Sequence, residues 1–289
     1  LVTIDALPRV YSLDFNPQNE TDVVKFSKLD LTHAPGSRDH RSLGIGIKSL
    51  KISRSNTLSQ KVWSKFQGKI KDVSLLFRSS PKPVSEEVSN LLELEGVVYT
   101  SILNPQDGRK NWEDLVTAFC WAFRGDENAT LVLKMTHHKL ATFLGKLLLL
   151  YSQMSPFRCR VVAIHGFLTS EQYQQLIDRS HFVVNSSHCE GQCLPLMEFM
   201  GQGVPAIAPD HTAMADYVTT KNTFVVKSSL YPTFWPLDER KAIRTLCYRI
   251  DWHSLMESFR DSFEIAINDE ETYQSMSSAS ITSVEAVAG

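Results

Sequence analysis

The sequence predicts an α/β protein built on a doubly wound parallel sheet, with a small N-terminal β-rich segment ahead of it. Three observations predict this. From residue 97 onward, short apolar runs rich in β-branched residues alternate with stretches of helical periodicity, the pattern of a parallel sheet with crossover helices. The runs are apolar throughout, as in Phe182-Val-Val, so both faces of those strands are to be buried. At 289 residues and 43% hydrophobic content, the chain can bury one large core and carry a smaller piece.

Residues 1–55 form the β-rich segment, with strand-like stretches at 2–12, 23–31 and 43–52 separated by Asn-Pro, Pro-Gly and charged turns. The last of these alternates as a half-buried strand does. Residues 56–96 read as a linker with one amphipathic helix; the basic run 56–83 reads first as a solvated linker helix, with contact to a membrane face or an acidic partner as the other reading. Leu1 in place of a Met predicts that the sequence starts inside a longer protein.

The large domain spans 97–289. A strand from 98 leads into a polar turn with Arg109 and Lys110, then an amphipathic helix through Leu115, Val116, Ala118 and Phe119. A strand at 129–134 and a helix at 139–152 follow. The next strand ends at His165-Gly166, and Thr169 or Ser170 caps the helix after it, with an acidic residue in its first turn. The strand at 182–184 is stopped by Asn185, Ser186 and Ser187, and Pro195 suits the first turn of the next helix. A strand at 204–209, a helical turn at 213–218 and a strand at 223–227 continue the alternation. After Trp235-Pro comes a helical run through Cys247, Trp252, Leu255, Phe259 and Phe263 to Ala266, then a closing helix over 270–280.

The chemistry concentrates in Glu190-Gly-Gln-Cys-Leu-Pro-Leu-Met-Glu198. A strand, a loop with one carboxylate and a helix with a second place both at the carboxyl-end rim of the sheet, where open α/β sheets bind ligands. The start of that helix, residues 191–194, offers N–H groups to an anion. A carboxylate beside a phosphate site repels phosphate, so its use is to accept hydrogen bonds from paired hydroxyls, as sugars and ribose present. The spacing alone leaves a solvated Glu and an ordinary helix-surface Glu equally open.

This segment resembles the Glu-x7-Glu signature of retaining glycosyltransferases with the GT-B fold, in particular glycosyltransferase family 4, and the likeness runs over about 97–280. The resemblance implies that Glu198 holds the ribose of a nucleotide-sugar donor, that Glu190 touches hydroxyls of the transferred sugar, and that Gly191, Gln192, Cys193 and Leu194 line the diphosphate. Cys193 stands where the family commonly has Gly. It implies further that Arg109 and Lys110 neutralise the diphosphate, Lys110 being the closer match, and that Gly166 and Phe167 hold the nucleobase through backbone groups. Asp216 stands where the family often has a Glu. The expected reaction is sugar transfer, with retention, to a glycan or lipid-linked acceptor in surface polysaccharide biosynthesis. No metal or other cofactor is expected.

The family also uses a second, acceptor-binding nucleotide-fold domain, which the first 96 residues are too few to supply, so a missing N-terminal domain is expected. Residues 40–52 resemble the closing strand of β-sandwich modules found beside bacterial polysaccharide glycosyltransferases. The alternative is a non-catalytic module that binds a sugar or nucleotide-sugar within a larger assembly.

Composition sets the remaining bounds. A net charge of −2 gives the chain no general affinity for nucleic acid or anionic lipid. The apolar stretch 147–150 is too short to span a bilayer. Five cysteines form neither a zinc pattern nor a disulfide framework, which fits a cytoplasmic protein, working at the inner membrane face if the basic run makes peripheral contact.

Overall fold

The computed structural model describes residues 10–14, 22–31, 45–53, 91–136, 140–235 and 238–288. The helix expected within 56–83, and the basic run it carries, lie outside them. The strands are β1 (Val10–Asp14), β2 (Asp22–Leu31), β3 (Ile45–Ser53), β4 (Leu91–Glu95), β5 (Val97–Leu103), β6 (Ala129–Met135), β7 (Arg160–His165), β8 (Phe182–Val184), β9 (Ala206–Ala208), β10 (Thr223–Val225), β11 (Ser228–Phe234) and β12 (Arg244–Ile250). The helices are α1 (Trp112–Ala122), α2 (Leu140–Ser152), α3 (Ser170–Asp178), α4 (Leu194–Gly201), α5 (Trp252–Asn268) and α6 (Glu270–Ala288).

Six parallel strands run β10-β9-β8-β5-β6-β7 across the sheet. The chain enters at β5, winds outward through β6 and β7, then returns to β8 beside β5 and winds outward the other way. The order reverses between β5 and β8, which opens a crevice at their carboxyl ends. Past β7 the sheet continues with β2 and β3, both antiparallel. Most of the 1–55 segment that the structure describes therefore extends the domain's own sheet, while β1 pairs with β4.

Apolar strands are buried on both faces, as their composition requires. Val97, Tyr99, Leu131, Leu133, Val161 and Phe182 pack on one side with α1, α2 and α5. Val98, Val132, Val162, Ile164 and Val183 pack on the other with α3 and α4. At the centre of the first side, Tyr99 stacks on Phe182 at 5.4 Å and meets Phe259 edge-on at 5.3 Å. Its hydroxyl, fully buried, lies 3.2 Å from Ser262 Oγ. Gly96 forms the corner between β4 and β5 at φ +71°, where an added Cβ would stand 2.0 Å from the Asn128 carbonyl oxygen. Only glycine fits there.

Three local expectations meet the structure in detail. Thr169 is the cap of α3, and with Gln172 it forms a complete capping box. Pro195 sits in the first turn of α4. The helical run expected after Trp235 is corrected. Residues 244–250 form strand β12, paired with β11, and the helix starts only at Trp252, where Asp251 accepts a hydrogen bond from Ser254 N at 2.8 Å. Thr245, Tyr248 and Ile250 favour an extended chain, and the cross-strand partners Leu230 and Pro232 supply the pairing a helix would forgo. The closing helix α6 runs to Ala288 and lies on α4 of this same domain, with Val284 beneath Gly201 and Ser277 beside Gly203.

Candidate functional site

The crevice between β5 and β8 is built from two loops. The loop after β5 tightens into a short 3-10 turn over Gly108–Lys110, capped by the Asp107 carboxylate. Asn111 then adopts a left-handed conformation, φ 48°, and launches α1. The loop after β8 carries Asn185 through Cys193. Because β5 and β8 are neighbours in the sheet, residues 80 apart in sequence meet here.

Lys110 Nζ donates to Glu190 Oε1 at 2.5 Å, with the two side chains 17% and 6% exposed. Arg109 grips Asp107, with Nη2 to Oδ2 at 2.7 Å, and its Nη1 donates to the Cys189 carbonyl at 3.2 Å. Burial opposes ionisation of Asp107, but the Arg109 hydrogen bonds outweigh it and hold the carboxyl below its ordinary value. His188 N donates to the Arg109 carbonyl at 2.8 Å, tying one loop to the other through the backbone. The structure thus brings together Arg109, Lys110 and Glu190.

Beyond Glu190 the chain turns into α4. Cys193 takes the left-handed conformation, φ 59°, that glycine would take without strain, and no side chain caps the helix. Its thiol is buried and accepts a hydrogen bond from Asn185 Nδ2 at 2.9 Å; burial, aided by the Glu190 charge, pushes its pKa up to about 11. Asn185 Nδ2 also reaches Glu190 Oε1, at 3.4 Å, and Tyr217 hydroxyl fixes the Gln192 carbonyl at 2.7 Å. Gly191 and Leu194 are exposed, and the space at Gly191 is open. Glu198 is exposed on α4 and is held apart from the Lys110–Glu190 pair, its Oε2 accepting the Tyr173 hydroxyl.

On the other flank, Gly166 turns the chain at φ +108°, and its carbonyl accepts Lys134 Nζ at 2.7 Å. Lys134 is buried at the end of β6 and burial lowers its pKa to about 8. Phe167, next in the chain, is 89% exposed.

Sequence reasoning missed several residues here. Thr212 Oγ1 accepts the Glu190 N–H at 3.1 Å. His211 stacks on Tyr248 of β12 at 4.2 Å, nearly parallel, and burial lowers its pKa to about 4. Tyr248 N donates to the His188 carbonyl at 3.0 Å, and the His188 ring Nδ1 lies 2.8 Å from the Tyr248 carbonyl. The β11–β12 hairpin is thereby fastened to the crevice. Two buried polar atoms in these loops, Asn111 Nδ2 and His211 Nε2, have no hydrogen-bond partner, an arrangement that leaves each about 1–3 kcal/mol short. Of the site's supporting residues, Asn185 carried a signal, as the residue that stops a strand at the rim; His188 and His211 take their partner from the hairpin, and Thr212 takes its partner from the loop after β8.

No protein-family model matches this sequence, and neither does any curated protein. Among solved structures, the chain is similar to the C-terminal domain of a glycosyl transferase group 1 family protein from Francisella tularensis, with 16% identity and a TM-score of 0.44 over 66% of this chain and 86% of that one. It is similar to the catalytic domain of cholesterol-α-glucosyltransferase from Helicobacter pylori, at 11% identity and a TM-score of 0.44, over 66% of this chain and 98% of that one. Sucrose-phosphate synthase from Thermosynechococcus elongatus gives 17% identity and a TM-score of 0.46, over 66% of this chain and 41% of that one. Values this low assign no activity to this chain.

Among the described residues, no group of three or more His, Cys, Asp or Glu side chains is placed to hold a metal ion, and no helix is long and apolar enough to cross a membrane. All five cysteines are free.

Proposed function

We propose that this chain is the donor-binding part of a GT-B glycosyltransferase resembling family 4, which transfers a sugar from a nucleotide-sugar to a glycan or lipid-linked acceptor with retention. The observation that carries the reading is the meeting of Lys110, Arg109 and Glu190 at the reversal of strand order, beside the uncapped start of α4. Cations and helix N–H groups suit a diphosphate and the charge that grows on it as the sugar departs. A diphosphate entering there draws Lys110 away from Glu190. The freed carboxylate, reached by Asn185 and anchored where Thr212 holds the Glu190 backbone N–H, then accepts hydrogen bonds from sugar hydroxyls.

Glu198 would take the ribose and Gly166 with Phe167 the base. Gly191, Gln192, Cys193 and Leu194 would line the phosphates. The acceptor attacks the face that the diphosphate leaves, so no enzymatic nucleophile or metal is required, and an acceptor-binding domain is to be supplied by further sequence. The protein would work in the cytoplasm.

One observation favours the alternative of a non-catalytic sugar-nucleotide module. Both cations are already paired with carboxylates, Lys110 with Glu190 and Arg109 with Asp107, and a donor must displace them.

Calorimetric titration of the chain with UDP, GDP and their sugar conjugates tests the proposal, alongside Glu198→Ala and Lys110→Ala. One nucleotide should bind and either change should weaken it about tenfold, or about 1.4 kcal/mol. A folded chain that binds none of them refutes the donor site. Binding without turnover, once an acceptor and the acceptor-binding part are supplied, selects the module.

A further inference from the structure

The β11–β12 hairpin stands outside the parallel sheet and is paired only with itself. Residues opposite one another in an antiparallel pair share a face. On this hairpin Leu230 faces Tyr248, Pro232 faces Leu246 and Phe234 faces Arg244, so one face is apolar with a cation at its outer end. Leu230 is 54% exposed, Leu246 58%, and at the tip Trp235 is 39% and Ile243 56% exposed. These four are among ten large hydrophobic side chains exposed among the residues whose side chains are described, so exposed apolar surface is concentrated here.

Charge is concentrated at the same place. Residues 227–250 hold five cations against two carboxylates, a local +3 in a chain of net −2. One of those carboxylates, Asp238, is turned inward and accepts hydrogen bonds from the N–H groups of Arg240, Ala242 and Ile243 at 2.7–3.1 Å, which shapes the tip. Arg240, Lys241 and Arg244 remain exposed around it. The Arg244 guanidinium carbon lies 4.4 Å over the Phe234 ring, so a cation rests on the outer end of the apolar face.

We propose that this hairpin docks on an anionic membrane surface, with Trp235, Ile243 and Leu246 entering the headgroup boundary and the tip cations facing lipid phosphates. The combination decides the partner. Aliphatic side chains and a Trp at the end of a cationic hairpin suit a lipid interface, where one end of the element is apolar and the other wet. A nucleic acid would use the cations and leave the leucines and isoleucine without a role. A second copy of the chain, joined face to face, would bring two +3 patches together. The assignment stands apart from the donor-site reading, and either can fail alone.

The full chain is sedimented with vesicles of pure phosphatidylcholine and with vesicles containing roughly one third phosphatidylglycerol. Binding should favour the anionic vesicles by about tenfold or more and should collapse in high salt. Trp235→Ser with Leu246→Ser, and separately Arg240→Glu with Lys241→Glu, should each remove most of that binding while thermal unfolding stays that of the parent. Equal binding to both vesicle types, no binding to either, or variants that bind as the parent does would each overturn the proposal. So would concentration-dependent self-association that the variants abolish in place of lipid binding.

Discussion

Removing Lys110 alone should harm this protein more than removing Lys110 and Glu190 together. Glu190 is 6% exposed and its partners beyond Lys110 are Asn185 Nδ2, at a long 3.4 Å, and nothing else charged within hydrogen-bond reach among the described residues. In Lys110→Met the carboxylate stays buried without its cation, a loss that costs about 3–5 kcal/mol for a fully buried pair. Lys110 retains 17% exposure, so water can partly replace it and about 3 kcal/mol is the better figure. Lys110→Met combined with Glu190→Gln removes both charges and leaves a neutral amide that Asn185 can still meet, for about 1 kcal/mol. The double variant should thus be more stable than Lys110→Met by about 2 kcal/mol, read from urea unfolding at pH 7, and Glu190→Gln alone closes the cycle that gives the pair's coupling. In a domain of this size each kcal/mol moves Tm by about 2–4 °C, so calorimetry gives a second reading. A double variant as unstable as Lys110→Met would refute the reasoning, because the ion pair would then not be what holds the two loops.

Gly96→Ala should cost at least about 2 kcal/mol, since the new Cβ meets the Asn128 carbonyl at 2.0 Å and the φ of +71° disfavours any side chain; thermal unfolding measures it, and an unchanged Tm would contradict the corner described here. His211 should make stability fall as pH drops. Its folded pKa is about 4 against 6.5 in the unfolded chain, so below pH 6.5 the unfolded state takes up the proton first, and the contribution is lost progressively down to about pH 4. The slope is about 1.4 kcal/mol per pH unit at most, and His211→Gln should flatten it in denaturation midpoints taken across that window.

The parallel sheet was legible because its evidence is local. Phe182-Val-Val followed by Asn185 reads as a strand that ends at a rim, and Thr169 and Pro195 mark helix starts through their own chemistry. Lys110 and Glu190 could be chosen singly by resemblance, but their contact is fixed by β5 lying beside β8, a long-range fact that no stretch of sequence carries. Residues 244–250 misled because Leu246, Cys247 and Ile250 also fit a helical stripe, and the strand exists only because β11 is there to pair with it. His211 and Thr212 entered the site for the same reason: both are arranged around partners, Tyr248 and Glu190, that only the folded chain supplies.

The fastening of His188 to Tyr248 bears on any attempt to shorten this chain. Residues 228–250 look like a decoration that could be trimmed to a tight turn between β10 and α5. Trimming them would strip His188 of its hydrogen bonds to Tyr248 through both carbonyl and ring, and His211 of the ring it stacks on. Glu190, two residues beyond His188, would keep Lys110, Asn185 and Thr212 but lose the hairpin's hold on the loop that presents it. A minimal version of this domain has to keep the hairpin, or replace what Tyr248 does.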